Sequence, residues 1–194
     1  MPKVFKGQVA RLWGMSTLRN ISFMSFSTTI PYWFHQRGLS DADTALALSV
    51  YSFAATAGAF LGGGLSDRLG RKRILKVTIL LTLPIYLLLI FIAPEARWLY
   101  LPLLALAGIV MNAGIPVAVV MTQEHQPDHI ATVSGLMMGF TWGFAGLFYA
   151  FIGPLVEHFG VLPTMLALSL LLLPAIWLTF SIKEVSNQQA LLSG

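Results

Sequence analysis

The chain has 194 residues, of which 56% are hydrophobic and 10% are charged. A soluble domain carries about 25% charged residues, so this composition excludes a water-soluble globule, which would lack the polar surface to cover its core. The formal net charge is +4. The basic residues lie between apolar stretches, however, which indicates membrane topology rather than a nucleic-acid partner. The chain contains no cysteine, so it holds neither a disulfide nor a thiolate metal site.

Six apolar segments are each long enough to cross a bilayer as a helix, which takes about 20 residues. Backbone polar groups must be paired within lipid, so the segments are predicted to be helices. They are too long and too uniformly apolar for barrel strands. The predicted spans of this all-α membrane protein are residues 12–34, 41–64, 74–93, 98–121, 130–154 and 162–182. They form one six-span domain over residues 1–182, with a short cytoplasmic tail at 183–194.

Two local signals concern the ends of these segments. The basic start at residues 1–11 is also typical of a signal peptide, but the helix behind it is long, rich in serine and threonine, and lacks a compact cleavage site. We therefore expect a retained first span. At the start of the second span, Ser40 and Asp43 are predicted to form a capping box.

The basic residues also predict an orientation, because cytoplasmic loops are enriched in lysine and arginine. Six spans put both termini on one side. That side holds Lys3, Lys6, Arg11, Arg68, Arg71, Lys72, Arg73, Lys76 and Lys183, against Arg37 and Arg97 on the other. Both termini are therefore predicted to be cytoplasmic, although the loop between the fourth and fifth spans lies on the same side without a lysine or arginine.

Two loops repeat the pattern G-x-L-x-acid-x-x-G. The first is GGLSDRLG at 63–70 and the second is GPLVEHFG at 153–160. Because the two loops would lie on opposite sides of the membrane, they indicate two inverted repeats of three helices, which is the plan of a transporter half.

The stretch GGLSDRLGRKRIL at 63–75 resembles the signature loop of the major facilitator superfamily, G-x-L-a-D-r-x-G-r-k-x-x-l. Members of that family normally have twelve spans, so the resemblance implies half of a transporter whose partner is a missing six-span half or a second copy. It also implies a charge network that latches the outward-facing state. The candidate latch residues are Gly63, Asp67, Arg68, Gly70 and Arg71.

The physics of this loop adds two expectations. Gly63 is expected to let helix backbones approach closely, and Gly70 is expected to permit a tight reversal of the chain. A pure topology anchor remains the alternative role for the basic residues.

The region around the fifth span is similar to the C-terminal half of fosmidomycin-resistance-type drug efflux proteins. In that group a Gln-Glu…Pro segment precedes a Ser-Gly-x-x-x-Gly span. The matching residues here are Gln123, Glu124, Pro127, Ser134, Gly135 and Gly139. This similarity implies efflux of a drug or another small organic molecule. The signature loop also occurs in N-terminal halves, so the identity of the half stays open.

The first span carries a polar face that is a candidate for solute binding. Ser16, Arg19, Asn20 and Phe23 recur at spacings of three and four, and so share one side of a helix. An arginine at mid-membrane costs at least about 2.5–3.5 kcal/mol, so it normally faces a cavity or a partner. The alternative for Arg19 is that it reaches back to the nearby membrane surface.

In the resembled family, the first and fourth spans of each half line the central cavity. The resemblance therefore implies that Ser16, Arg19, Asn20 and Phe23, together with Asn112 of the fourth span, bind a solute that is anionic or hydrogen-bonding. Asn112 lies between glycines and near Pro116, and such interruptions point to a binding site. Its alternative role is a hydrogen bond to a neighbouring helix.

Two stripes of small residues recur every four positions, and such stripes allow helices to touch. One is Ala54, Gly58 and Gly62, and the other is Gly135, Gly139 and Gly143. The resemblance implies that they lie where two halves rock against each other, whereas ordinary packing explains them equally well.

These observations together predict solute transport by alternating access, as secondary active efflux of a small organic molecule. An enzyme is disfavoured, because Pro127 splits the one dense acid–histidine cluster at residues 124–129. No cofactor or metal site is expected. Protons are a candidate coupling ion, but no carboxylate lies within a span, so coupling would fall to Glu124 or to the missing half. Two alternatives stay open: an orphan half or regulatory subunit that does not transport alone, and uptake of an organic anion.

Overall fold

A computed structural model describes residues 7–183, and the described residues are helical with no strand. Lys3, Lys6 and the tail from residue 184 onward lie outside the described residues. The helices are α1 (Gln8–Gln36), α2 (Asp41–Leu69), α3 (Arg71–Phe91), α4 (Arg97–His125), α5 (Ile130–Gly135), α6 (Thr141–Phe159), α7 (Val161–Leu170) and α8 (Leu172–Ser181). A 3₁₀ turn, Pro127–His129, precedes α5, and a π-helical segment, Leu136–Phe140, joins α5 to α6.

Within residues 7–183, five helical stretches are long and apolar enough to cross a membrane. They are α2, α3, α4, the continuous stretch Pro127–Phe159 and the stretch Val161–Ser181. The first predicted span is the exception. Helix α1 has 29 residues, but buried polar side chains interrupt its apolar character. These are Ser16, Thr17, Arg19, Asn20, Ser22, Ser25 and Thr29. Because α1 packs against α2, α4, α6, α7 and α8, protein rather than lipid covers this polar surface.

Helix packing follows the pattern of two repeats of three spans, α1–α3 and α4–α8. Helix α4 packs against α2 and α3 of the first repeat, and α1 packs correspondingly against α6, α7 and α8 of the second. The two echoed loops also share a backbone conformation. Gly70 and Gly160 have φ values of +91° and +87°, which glycine adopts without strain. Each donates its N–H four residues back, to Ser66 and Val156.

The start of α2 and two irregularities within later helices have identifiable local causes. The predicted capping box is confirmed, since the Ser40 hydroxyl accepts from the Asp43 N–H and the Ser40 N–H donates to the Asp43 carboxylate, both at 3.2 Å. Pro174 lacks the N–H that would bond to the Leu170 carbonyl, and the helix breaks there between α7 and α8. The widened turn of the π segment is closed by the Thr141 hydroxyl, which donates to the Leu136 carbonyl at 3.0 Å.

Helices α2 and α4 approach each other closely through their glycines. A Cβ added at Gly58 or Gly62 would collide with the α4 backbone, and one at Gly108 would lie 2.6 Å from the Tyr51 carbonyl oxygen. Gly63 does not bring two helices together within residues 7–183, because a Cβ there meets none of their atoms within 4 Å. In a helix, adjacent residues point about 100° apart, so only Gly62 of the pair faces α4.

The two stripes of small residues have different surroundings. Gly58 and Gly62 of the first stripe pack within the chain, against α4. In the second stripe, a Cβ at Gly135, Gly139 or Gly143 would meet no atom within 4 Å. That stripe therefore lies on a face directed away from the rest of the described chain.

Candidate solute-binding site

The helices begin and end at two opposite ends of the bundle, and the candidate latch lies at one of them. The Arg71 guanidinium lies 3.7 Å from the Asp67 carboxylate, one turn back across the Gly70 reversal. Arg71 also pairs with Glu124 near the end of α4. Arg71 thus joins the α2–α3 loop to α4. Arg68 and Gly70 are exposed, so of the candidate latch residues Asp67 and Arg71 form the contact.

Hydrogen bonds hold the end of α8 at this same end of the bundle, which we call the basic end. The Arg11 guanidinium donates to the Ser181 carbonyl at 2.7 Å, and the Lys183 N–H donates to the Gln8 side chain at 2.9 Å. The His125 ring lies 3.1 Å from the Lys183 carbonyl oxygen. The start of α1, the end of α4 and the end of α8 therefore share one end, as an up-and-down arrangement of six spans requires.

The opposite end has fewer basic residues, and each is paired with an acid. The Arg97 guanidinium lies 2.6 Å from the Asp43 carboxylate, which joins the starts of α4 and α2. Arg37 lies 3.7 Å from Glu95 and stacks 4.5 Å from the centre of the Trp33 ring. The α2–α4 pair is thus tied by charged residues at both ends and packed through glycines between them.

Arg19 lies between these ends, and it is the largest buried polar side chain of the described residues. It is 2% exposed. Its Nη2 donates to the backbone carbonyls of Val110 and Met111 on α4. Its Nε and Nη1 have no hydrogen-bond partner among the described residues. The guanidinium therefore does not reach the helix end but turns into the bundle against α4.

The α4 backbone is shaped to admit this guanidinium. A Cβ at Gly114 would overlap the Arg19 Nη1, so a residue with a side chain cannot occupy this position without moving Arg19. Two residues on, Pro116 cannot donate to the carbonyl of Asn112. Helix α4 thus has no side chain at Gly114 and lacks one backbone hydrogen bond at Pro116, where the Arg19 guanidinium packs against it.

A small cavity adjoins the guanidinium. It has a volume of about 10 Å³, and its lining comprises Ser16, Arg19, Asn20, Gly114, Ile115, Val119 and Met137. That volume is close to the minimum for one water molecule. Met137 belongs to the π segment of the fifth span, a type of irregularity that is frequent at functional sites. The hydroxyl of Ser16 is buried and, like two of the Arg19 nitrogens, has no hydrogen-bond partner in the part of the chain that the structure describes.

The structure brings three of the five candidate binding residues together, namely Ser16, Arg19 and Asn20. Phe23 lies on the same helix but stacks on Tyr51, with ring centres 5.4 Å apart. Asn112 is buried and donates to the Gly108 carbonyl of its own helix at 3.2 Å. Neither Phe23 nor Asn112 lines the cavity.

Sequence reasoning missed a pair of buried tyrosines beside Arg19. The hydroxyls of Tyr51 and Tyr86 lie 2.6 Å apart, and both residues are fully buried. The described residues contain no carboxylate that forms an ion pair with Arg19. Residues 7–183 also hold no group of three His, Asp or Glu side chains suited to a metal ion.

Comparison with known proteins identifies the family. The family model for the Major Facilitator Superfamily matches residues 2–150. The chain belongs to the major facilitator superfamily. This is a family of transporters, and the chain is an integral membrane protein with several membrane-spanning helices. The match includes the 63–75 loop on which the resemblance was based.

Three relatives are similar over part of their length. The chain is 35% identical over 114 residues to the uncharacterized MFS-type transporter YfnC of Bacillus subtilis, covering 59% of this chain and 27% of that protein. It is 32% identical over 135 residues to the fosmidomycin resistance protein of Escherichia coli, covering 69% and 32%. It is 30% identical over 148 residues to the niacin transporter NiaP of Acinetobacter baylyi, covering 76% and 33%. The matched part of the chain thus spans about a third of each relative.

Proposed function

We propose that the chain is one half of a secondary transporter that exports a small organic molecule by alternating access. The observation that carries the proposal is the buried Arg19 beside a cavity formed by α1, α4 and the π segment. Ionisable residues inside a membrane normally face the bundle interior and mark a solute or ion pathway. The similarity to the fosmidomycin resistance protein supports export, and that to the niacin transporter supports the alternative of organic-anion uptake.

The partner in this proposal is a second six-span unit, either a further half or a second copy of this chain. Two observations support it. The aligned part of the chain spans a third or less of each relative, and a Cβ added at Gly135, Gly139 or Gly143 would meet no described atom within 4 Å. Sequencing of the adjoining reading frame tests this directly, since a further set of six spans would identify the missing half.

The mechanism in this proposal is the rocking of two halves about a midplane site, with the basic end in the cytoplasm. The Asp67–Arg71–Glu124 contact holds α2, α3 and α4 together at that end in one state of the cycle. Its geometry supports this role, because Arg71 bridges two carboxylates that belong to different helices.

The test is efflux of drugs and organic anions from cells that express the protein with its second half. The variant Asp67→Asn removes one latch carboxylate, and Asp41→Asn is the control, because Asp41 is exposed at the opposite end. We expect Asp67→Asn to slow efflux severalfold at normal expression, and Asp41→Asn to leave it unchanged. Unimpaired efflux by Asp67→Asn would remove the latch. Absence of transport for every solute, with both halves present, would favour a non-transporting membrane subunit.

A further inference from the structure

We infer that the transported solute carries an anionic group, such as a carboxylate or phosphonate, that binds to the Arg19 guanidinium and the Ser16 hydroxyl. The inference deepens the proposed function and rests on it, because it assigns the chemical class of the solute at the same site. It also reduces the set of proposed binding residues, because Phe23 and Asn112 are assigned to helix packing.

The first step of the argument is the charge of Arg19. A guanidinium stays protonated in proteins, so a full positive charge lies in a residue that is 2% exposed. Buried charges are paired or strongly disfavoured. Acidic residues near the ends of the bundle form ion pairs with other arginines. Asp43 pairs with Arg97, and both Asp67 and Glu124 pair with Arg71. Arg19 is left with neutral acceptors, namely two backbone carbonyls.

The second step is the set of unused donors. A guanidinium has five N–H groups, and the two on Nη2 are engaged by Val110 and Met111. The Nε and Nη1 groups of Arg19 and the hydroxyl of Ser16 are buried without hydrogen-bond partners among residues 7–183. Three unpaired donors on two successive turns of α1 thus belong to residues that line one cavity. A carboxylate or phosphonate supplies the missing charge and the missing acceptors together.

The third step is that the cavity is small and mixed in character. At about 10 Å³ it admits about one water molecule, so in this conformation it does not enclose an organic solute. Ile115, Val119 and Met137 form its apolar part. Binding of a carboxylate or phosphonate therefore requires the cavity to widen in another state of the transport cycle, with the body of the solute outside it.

The test uses thermal unfolding and calorimetric titration of the purified protein, with any second half, in phosphatidylcholine nanodiscs. The probes are benzoate and methylphosphonate, with benzamide as the neutral counterpart of benzoate. We expect both anions to raise the unfolding temperature and benzamide to leave it unchanged. Arg19→Gln should weaken anion binding by about tenfold to a hundredfold, the usual range for a lost charged hydrogen bond. The control Arg73→Gln removes the same charge from an exposed position and should bind like wild type.

A second measurement, the unfolding temperature without an anion, shows whether the variant folds normally. Without an anion, Arg19→Gln should unfold at a temperature equal to or higher than that of wild type, because it removes an uncompensated buried charge. Arg19→Lys keeps the charge and should keep the preference for benzoate over benzamide. Equal binding of benzoate by wild type and Arg19→Gln would overturn the inference. So would a large loss of stability in Arg19→Gln together with no anion effect on wild type, because Arg19 would then be structural.

Two further comparisons distinguish a lipid headgroup from a solute as the source of the anion, and the anion site from the proposed transport function. Stabilisation by phosphatidylglycerol in the nanodisc, without any effect of the soluble anions, would assign Arg19 to a lipid headgroup and overturn the solute assignment. Arg19-dependent binding of benzoate without transport of any solute supports the anion site while the proposed function fails. Transport of a neutral solute that is unchanged in Arg19→Gln overturns the anion site while the transport function stands.

Discussion

Replacing Gly62 by alanine tests how closely α2 and α4 must approach each other. A Cβ at Gly62 would collide with the Ala113 carbonyl oxygen and lie 2.6 Å from the Ala113 Cα, whereas ordinary contact begins near 3.4 Å. The backbones must therefore separate by at least about 0.8 Å at this point. A gap of that size forfeits about a quarter to a half of each dispersion contact that it affects. Overpacking of this kind costs about 1–3 kcal/mol, which is the loss of unfolding free energy that we expect for Gly62→Ala.

Reversible unfolding of the purified protein in mixed micelles, followed by circular dichroism, measures this loss. Gly63→Ala is the matched control, because a Cβ there meets nothing within 4 Å. Alanine is the better helix former by about 0.8–1.0 kcal/mol, so the control should be neutral or stabilising. The collision at Gly62 involves backbone atoms of Ala113, so adding Ala113→Gly should not rescue the variant. Equal losses for the two alanine variants, or rescue by Ala113→Gly, would refute the reasoning.

Three other predictions concern the ion-pair network, the arginine site and the tyrosine pair. Glu124→Gln removes a carboxylate partner of Arg71, and we expect efflux in membrane vesicles to fall severalfold at normal expression. Gly114→Ala places a Cβ on the Arg19 guanidinium, so benzoate binding measured by calorimetry should weaken by about tenfold, a typical loss for one charged hydrogen bond. Gly139→Ala faces open space and should bind benzoate normally. Tyr51→Phe or Tyr86→Phe leaves one buried hydroxyl unpaired at a cost of about 1–3 kcal/mol, and a double-mutant cycle of unfolding free energies should show that the double variant loses less than the sum.

The sequence predicted those parts of the fold that depend on composition and local patterns. Apolar runs located the helices, and loop residues such as Gly70, Gly160 and the Ser40–Asp43 box located their ends. Each of these signals acts within a few residues, so it does not depend on which helices are neighbours. The first helix was the partial exception, because its membrane character depends on neighbouring helices that cover its polar residues rather than on its own hydropathy.

The parts that the sequence did not predict depend on how helices are rotated and paired. The sequence indicated two candidates for close approach in the run Gly62–Gly63–Gly64, namely Gly62 in the small-residue stripe and Gly63 in the signature loop. Only the pairing of the helices shows that Gly62 faces α4. The partner of Arg71 was not assigned, because Glu124 lies on a helix distant in sequence. The polar face of α1 predicted Ser16, Arg19 and Asn20 as neighbours. Only the crossing with α4 shows the Val110 and Met111 carbonyls as the acceptors for Arg19.

The account depends most on the claim that the Asp67 loop lies in the cytoplasm, at one end of helices that cross the bilayer. The chain has no cysteine, so single cysteines at the exposed positions Leu69 and Ala93 report on the two ends of the bundle. Intact cells are treated with a membrane-impermeant maleimide before and after the membrane is made permeable. The account predicts that Ala93→Cys reacts in intact cells and that Leu69→Cys reacts only after permeabilisation. Reaction of Leu69→Cys in intact cells, or recovery of the protein in the aqueous fraction, would contradict it.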